Sequence, residues 1–245
     1  MHIDPILPIA LTETSSYLAG VIVGDGHIYD KWHTKNGRYY RVTIHTTDLP
    51  FLQNLEQFIK TLIKTDTSIK ERRMDHIPNR STLYIYTVSN KSLFHFLTAV
   101  LGIPMGSKSR RVTVPEKILR GSDSLKRAFL AGLFDTDGGF RGGTIGFTTA
   151  SRLLRDRVAL ILAEWEFEFS IEQWLNKRYN REYYGLKIRK KEVDRFLKEI
   201  PLQDDGKRKA IADRFLRVNS AKSDYSRIPL AGVPEWPNGP EGNVQ

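Results

Sequence analysis

The sequence predicts an α+β fold of two pseudo-symmetric halves, each in the order αββαββα, whose sheets lie side by side as a saddle with a concave antiparallel β-surface. Three observations predict it. An apolar, small-residue helical run ending in Asp-Gly occurs twice, as Leu18-Ala19-Gly20-Val21-Ile22-Val23-Gly24-Asp25-Gly26 and as Leu130-Ala131-Gly132-Leu133-Phe134-Asp135-Thr136-Asp137-Gly138. After each copy the pattern runs through hairpin, amphipathic helix, hairpin and helix. Particular residues also recur: Thr46-Thr47 as Thr148-Thr149, and Val88, Lys91, Phe96, Leu97 and Val100 as Ile188, Lys191, Phe196, Leu197 and Ile200. These divide the chain into a first repeat over 1–104, a linker over 105–123, a second repeat over 124–225 and an extended tail over 226–245.

Taken in order, Thr12, Thr14 or Ser15 offers an N-cap for the first repeated helix. The small residues Ala19, Gly20 and Gly24, with Ala131 and Gly132 in the second copy, leave little bulk on one face, so two such helices can approach backbone to backbone. Gly26 and Gly138 are expected to stop the helices in the left-handed conformation. Strands near His27 to Trp32 and Tyr39 to Thr46 flank a turn at Thr34-Lys35-Asn36-Gly37, where Asn-Gly is a hairpin signal. Val42 and Ile44 share one face, which leaves Arg41, Thr43 and His45 on the other. Asp48-Leu49-Pro50 opens a helix with Leu52, Leu55, Phe58, Ile59, Leu62 and Ile63 as its buried stripe. Strands over Ser68 to Met74 and Thr82 to Ser89 follow, joined across His76 to Arg80, and then a helix over Lys91 to Leu101. The second half repeats this with a tight hairpin around Gly138 to Thr149, a helix Arg152 to Trp165, strands Phe169 to Arg178 and Tyr183 to Arg189, and a helix Lys191 to Ile200.

Composition narrows the partner. At 245 residues, two halves can each bury a core. The net charge of +10, with 38 Lys and Arg against 28 Asp and Glu, suits an anionic polymer, nucleic acid first. No basic amphipathic helix with a bulky apolar face stands out, and no apolar run approaches the ~20 residues of a spanning helix, so a membrane partner is not expected. With no cysteine, disulfides, thiolate zinc sites and thiol catalysis are excluded. The first ten residues carry no basic run and do not read as a targeting peptide, so an intracellular location is expected: the cytoplasm or nucleoid of a prokaryote, or an organelle.

The two Asp-Gly ends carry the chemistry. Each acid sits at a helix C-terminus, where the backbone dipole is already negative, and pairing the helices brings two carboxylates and two negative poles together. A divalent cation with oxygen ligands, Mg²⁺ by type or another such as Mn²⁺, relieves that repulsion. On the sheets, Arg38, Arg41, Lys70, Arg72, Arg141, Asn176, Arg178, Lys187 and Arg189 are read onto one polar face, and Thr43 and His45 with them; a β-ribbon of this kind fits the major groove of DNA. Alternation is ambiguous at Leu83 to Thr87 and at Ile145 to Phe147.

Both nonamers resemble the LAGLIDADG motif of homing endonucleases, as LAGVIVGDG and LAGLFDTDG, and their order resembles the single-chain, two-repeat, monomeric form over roughly residues 11 to 220. The first copy departs at Val23, where the motif has its earlier Asp; the second keeps it as Asp135. The resemblance implies a site-specific endonuclease that hydrolyses both strands of a long double-stranded DNA target, leaves short 3′ overhangs and spreads the intron or intein encoding it. It assigns Asp25 and Asp137 as catalytic metal ligands with the carbonyls of Gly24 and Thr136, and a metal shared between the carboxylates. It also implies a basic residue near each scissile phosphate: Lys108 in Gly106-Ser107-Lys108, and Lys207 or Lys209 in Gly206-Lys207-Arg208-Lys209. His27 is read as turn structure. The alternative is an RNA maturase acting on intron RNA, or a DNA-binding regulator of the same fold without nuclease activity.

Overall fold

The computed structural model describes residues 7–33, 37–65, 67–72, 81–141 and 143–225. The first half runs α1 (Glu13–Gly24), β1 (Gly26–His33), β2 (Gly37–Thr46), α2 (Leu49–Leu62), β3 (Thr67–Arg72), β4 (Leu83–Ser89) and α3 (Lys91–His95), which continues as a π-helical turn over Phe96–Val100. A linker containing α4 (Glu116–Leu119) leads to the second half: α5 (Asp123–Asp137), β5 (Gly138–Arg141), β6 (Thr144–Thr149), α6 (Arg152–Glu164), β7 (Phe169–Asn176), β8 (Arg181–Ile188), a 3-10 turn at Lys190–Glu192, α7 (Val193–Glu199) and α8 (Asp205–Tyr225). The two sheets are antiparallel, with strand orders β1-β2-β4-β3 and β5-β6-β8-β7. One connectivity has been laid down twice.

The centre of the molecule is the α1–α5 pair. A Cβ at Gly20 would stand 2.1 Å from the Phe129 carbonyl oxygen, and one at Gly132 would stand 2.1 Å from that of Tyr17. These reciprocal contacts leave no room for any side chain, so the small residues are a steric requirement of the pairing. Around them Leu18, Val21, Ile22, Phe129, Leu130 and Leu133 are fully buried, joining both halves into one core. Thr12 and Ser15 form a reciprocal capping box that starts α1.

Cap geometry also fixes the repeat register. Thr46 Oγ1 accepts the Asp48 N–H and Asp48 caps Phe51; Thr149 Oγ1 accepts the Ser151 N–H and Ser151 caps Leu154. Thr46 therefore corresponds to Thr149, one residue away from the match suggested by the paired threonines. Gly26 and Gly138 are also corrected. Among the described glycines only Gly102, Gly106 and Gly143 have positive φ, and Gly138 has φ −77. The two motif glycines are required by crowding, because a Cβ would meet the Ile22 Cα at 2.6 Å or the Phe134 carbonyl oxygen at 2.3 Å.

Two elements lie beyond the expected order, namely α4 and the 21-residue α8, which occupies sequence read only as the end of the second repeat. The turn residues Thr34 to Asn36, the 73–80 connection including Met74 and His76 to Arg80, and the tail 226–245 lie outside the described residues. Among the described residues no helix is long and apolar enough to cross a membrane.

Candidate active site and nucleic-acid interface

Asp25 is the C-cap of α1 and Asp137 the last residue of α5. Their helix ends touch: a Cβ at Gly24 would stand 2.1 Å from Thr136 Oγ1 and 3.5 Å from the Asp137 carboxyl carbon. Loss of hydration, reinforced by the charge of Asp25, pushes the half-buried Asp137 up to about 7 against the opposing pull of Lys108 and Lys207. Asp25 is raised by the same loss of hydration and held back by Lys207, Lys108 and His45; its outer edge stays exposed. The charge of Asp25 thus reaches Asp137 across the pseudo-symmetric contact.

Two lysines complete the cluster. Lys108, only 8% exposed, donates from Nζ to the carbonyls of Val23 at 2.6 Å and Gly24 at 2.8 Å, the last turn of α1. Lys207 does the same for α5, reaching the carbonyls of Phe134 at 3.2 Å, Thr136 at 3.4 Å and Gly138 at 3.2 Å, as well as that of Asp135. An ammonium at a helix C-terminus satisfies the orphan carbonyls and opposes the negative pole. Burial lowers Lys108 to about 8, although Asp137 and Asp25 pull it upward. Lys209 is exposed on α8 and does not join the cluster, so of the two candidate lysines it is Lys207 that stands at the end of α5.

The donor set suits a hard cation. Two mutually repelling carboxylates meet where the helix poles are negative, and among the described residues no group of three or more His, Asp or Glu gathers. The carbonyls of Gly24 and Thr136 already accept from Lys108 and Lys207, so a cation bound to either would stand beside an ammonium. The carboxylates of Asp25 and Asp137 are therefore the stronger anchors of the four expected ligands.

On the first sheet, strand register puts His27, Tyr29 and Lys31 opposite Thr43, Arg41 and Tyr39, and Thr87 and Ile85 opposite Thr43 and His45. Ser68, Lys70 and Arg72 continue the same face through Thr87, Ile85 and Leu83. Tyr86 and Val88 point the other way into the core, which settles the ambiguous alternation of β4. Arg38 is a correction: it alternates with Tyr40, Val42 and Ile44 on the helix-covered side, where its guanidinium pairs with Asp30 and lies 5.9 Å from the Tyr40 ring. Thr43 is on the outer face but only 5% exposed, covered by its neighbours, so it spaces the flanking Arg41 and His45. The ladder ends at Gly26 opposite Ile44, which brings Asp25 abreast of His45.

On the second sheet Ile145 and Phe147 face the core, and Thr144, Gly146 and Thr148 face out. Lys187 is on the outer face, paired with Glu172 at 2.6 Å. Asn176 ends β7, and its side chain accepts the Arg178 N–H; Arg178 lies in the following turn over the Tyr179 ring. Arg189 is exposed just beyond β8, and Arg141 belongs to β5, its side chain outside the described residues. A groove of ≈ 480 Å³ runs from Asp137 over Gly139, Gly146 and Gly185 to Trp174 and Lys187. Sequence reading missed Lys31 on the first face and the stacked pair Trp174 and Tyr183 on the second. Period-two alternation along the strands from Asn176 and from Lys187 reaches Trp174 and Tyr183, and the hairpin register sets Lys31 opposite Tyr39. It also left Asp135 without a role.

Paired small-residue helices ending in two acids, set between two outward-facing antiparallel sheets, define a two-repeat saddle protein. Residues 124–201 match the family model of the LAGLIDADG-like domain. A curated relative, the replication factor C small subunit of Methanocaldococcus jannaschii, is 32% identical over 170 residues, which is 69% of this chain and 8% of that protein. The chain spans less than a fifth of the length of the curated relatives it matches. The homing endonuclease I-DmoI in complex with DNA and Mn shares the fold with a TM-score of 0.60 at 22% identity, covering 78% of this chain and 97% of that one. The homing endonuclease I-WcaI bound to its DNA recognition sequence follows with 0.56 at 16% identity, covering 79% and 82%. Residues 124–201 therefore carry a LAGLIDADG-like domain, and the chain as a whole shares the two-repeat fold of these homing endonuclease structures.

Proposed function

We propose that the protein is a monomeric, metal-dependent endonuclease that cuts both strands of a long double-stranded DNA site. The observation that carries the reading is the pair Asp25 and Asp137, brought together at touching helix ends with their pKa values raised and a lysine beside each. One acid per half matches one phosphodiester per strand. Asp25 and Asp137 would hold Mg²⁺ or Mn²⁺. The cation would supply positive charge to the phosphate and a more acidic water. Lys108 and Lys207 hold their ammonium groups against the helix ends, where each can turn to a phosphate. With a pKa of about 8, Lys108 remains mostly protonated at neutral pH, carrying both a charge and a transferable proton. The first sheet, whose described outer face carries Arg41, Lys70 and Arg72, supports major-groove binding, and the DNA complexes of the two structural neighbours support the same partner.

Such an enzyme would serve the mobility of the intron or intein that encodes it. Incubation with a plasmid library and Mg²⁺ should give site-specific linear product that disappears with chelator. Asp25→Asn and Asp137→Asn should each lower double-strand cleavage about 10³-fold or more while keeping target binding. Target binding without cleavage in any divalent cation would instead favour the non-cleaving regulator or maturase.

A further inference from the structure

The two halves hold their lysines by different means, and the difference falls on a residue outside the chemistry described above. Asp135, 4% exposed in the last turn of α5, turns away from the acid pair. Its Oδ2 accepts the Gln203 N–H at 2.8 Å, the Asp204 N–H at 3.3 Å and the Tyr17 hydroxyl at 2.8 Å. Gln203 and Asp204 are the last residues before α8, and Asp204 Oδ1 accepts the Lys207 N–H at 2.8 Å, capping that helix. Lys207 lies in the first turn of α8 and returns its Nζ to the carbonyls around Asp135. The start of α8 is thus fastened to the end of α5 at both ends, by a carboxylate on backbone N–H groups and by an ammonium on backbone carbonyls.

Among the described residues the first half has no such clasp. Its equivalent residue is Val23, an apolar core side chain. Lys108 is instead fixed by its own loop: its carbonyl accepts the N–H groups of Arg111 and Val112, the Gly106 N–H donates to Ile28, and the Arg111 guanidinium binds the carbonyls of Met105 and Ser107. Nothing there needs an acid at position 23.

We propose that Asp135 is the positioning residue for Lys207, and therefore that it serves cleavage of one DNA strand only. This rests on the endonuclease reading for its strand specificity, but the placement of Lys207 is independent of it. A residue that merely held the fold together would, when lost, slow both cuts alike.

The test uses the full chain with two readouts. In the first, wild type, Asp135→Val, Asp135→Ala and Asp135→Asn are acetylated briefly at native pH, and each lysine is followed by peptide mass spectrometry. Lys207 should react roughly tenfold faster in the Val and Ala variants, the equivalent of losing at least one charge-assisted hydrogen bond. It should stay protected in Asp135→Asn, which keeps an acceptor oxygen, and Lys108 should not change in any of them. In the second, nicking of each strand of an end-labelled target is timed. Asp135→Val should slow one strand roughly tenfold and the other by less than about twofold, the same strand should be slowed by Lys207→Ala, and the double variant should be no slower than Lys207→Ala alone. Unchanged Lys207 reactivity in both Val and Ala variants, or equal slowing of the two strands, overturns the proposal. If wild type cuts neither strand, the endonuclease reading fails while the acetylation result still decides the role of Asp135. Should Asp135→Val lose its cooperative melt, the Ala variant carries the comparison.

Discussion

The first half delivers its lysine from a loop and buries it; the second delivers its lysine from a helix and leaves it half-exposed. The sheet faces differ in the same spirit. Among the described residues, the outer face of the first sheet carries Lys31, Arg41, Lys70, Arg72, His27 and His45 and no acid. On the second sheet Glu172 neutralises Lys187, four glycines line a groove, and Trp174 stacks on Tyr183. Two copies of one connectivity have therefore kept the helix pair and the acids in common. They have diverged in what their outer faces offer a nucleic acid: unopposed charge along the strands in the first half, and in the second a glycine-lined groove and an aromatic stack, with Arg181 and Arg189 only at the ends of β8.

If the helix pair is the shared part, damage to it should be severe and equal from either side. Gly20→Ala and Gly132→Ala each drive a methyl into a carbonyl 2.1 Å away, so each should lower stability by about 3 kcal/mol or more, read as a fall in melting temperature. A mild loss from one and a large loss from the other would break the pseudo-symmetry.

Acid–base behaviour sharpens the contrast between acid and lysine. The folded pKa of Asp137, about 7, lies above its unfolded value, so the folded chain binds the extra proton between about pH 4 and 7 and metal-free stability should fall as pH rises through that window. Lys108, lowered to about 8, is the opposite case: the unfolded chain binds the extra proton between about pH 8 and 10.5, so stability should rise with pH there. Asp137→Asn should flatten the first slope in thermal melts, and Lys108→Met the second. A slope untouched by its variant would remove the corresponding shift.

The smallest effects concern the faces. Removing Arg41, Lys70 or Arg72 should weaken DNA binding and lower the salt dependence, d log K against d log salt, by about one per residue that meets a phosphate. Lys187→Ala should change it less, because Glu172 already neutralises that charge. Equal salt slopes for both sheets would end the distinction between a charge-reading and a shape-reading half.

Much of this was legible in the sequence, for physical reasons that differ from residue to residue. The doubled helix was readable because close backbone approach admits almost nothing but Gly and Ala at Gly20 and Gly132, and the strands of the first sheet because Val42 and Ile44 alternate cleanly. Arg38 was misplaced because a strand end is governed by a local partner, Asp30, whose position alternation alone does not reveal. The helix α8 was missed because its polar sequence lacks a continuous apolar stripe; its start is set by the tertiary contact of Asp135 with Gln203 and Asp204. Choosing Lys207 over Lys209 needed the same information, since only the start of α8 decides which lysine faces α5.

The central claim is that Asp25 and Asp137 jointly hold a divalent cation when DNA is bound. Crystals of the protein with its cleaved target grown in Mn²⁺, measured at the manganese absorption edge, test it most directly. The account predicts an anomalous peak within ~2.3 Å of a carboxylate oxygen of each acid, lost in Asp25→Asn and Asp137→Asn. Intact electron density for both carboxylates beside the DNA, with no anomalous peak between them, would contradict it.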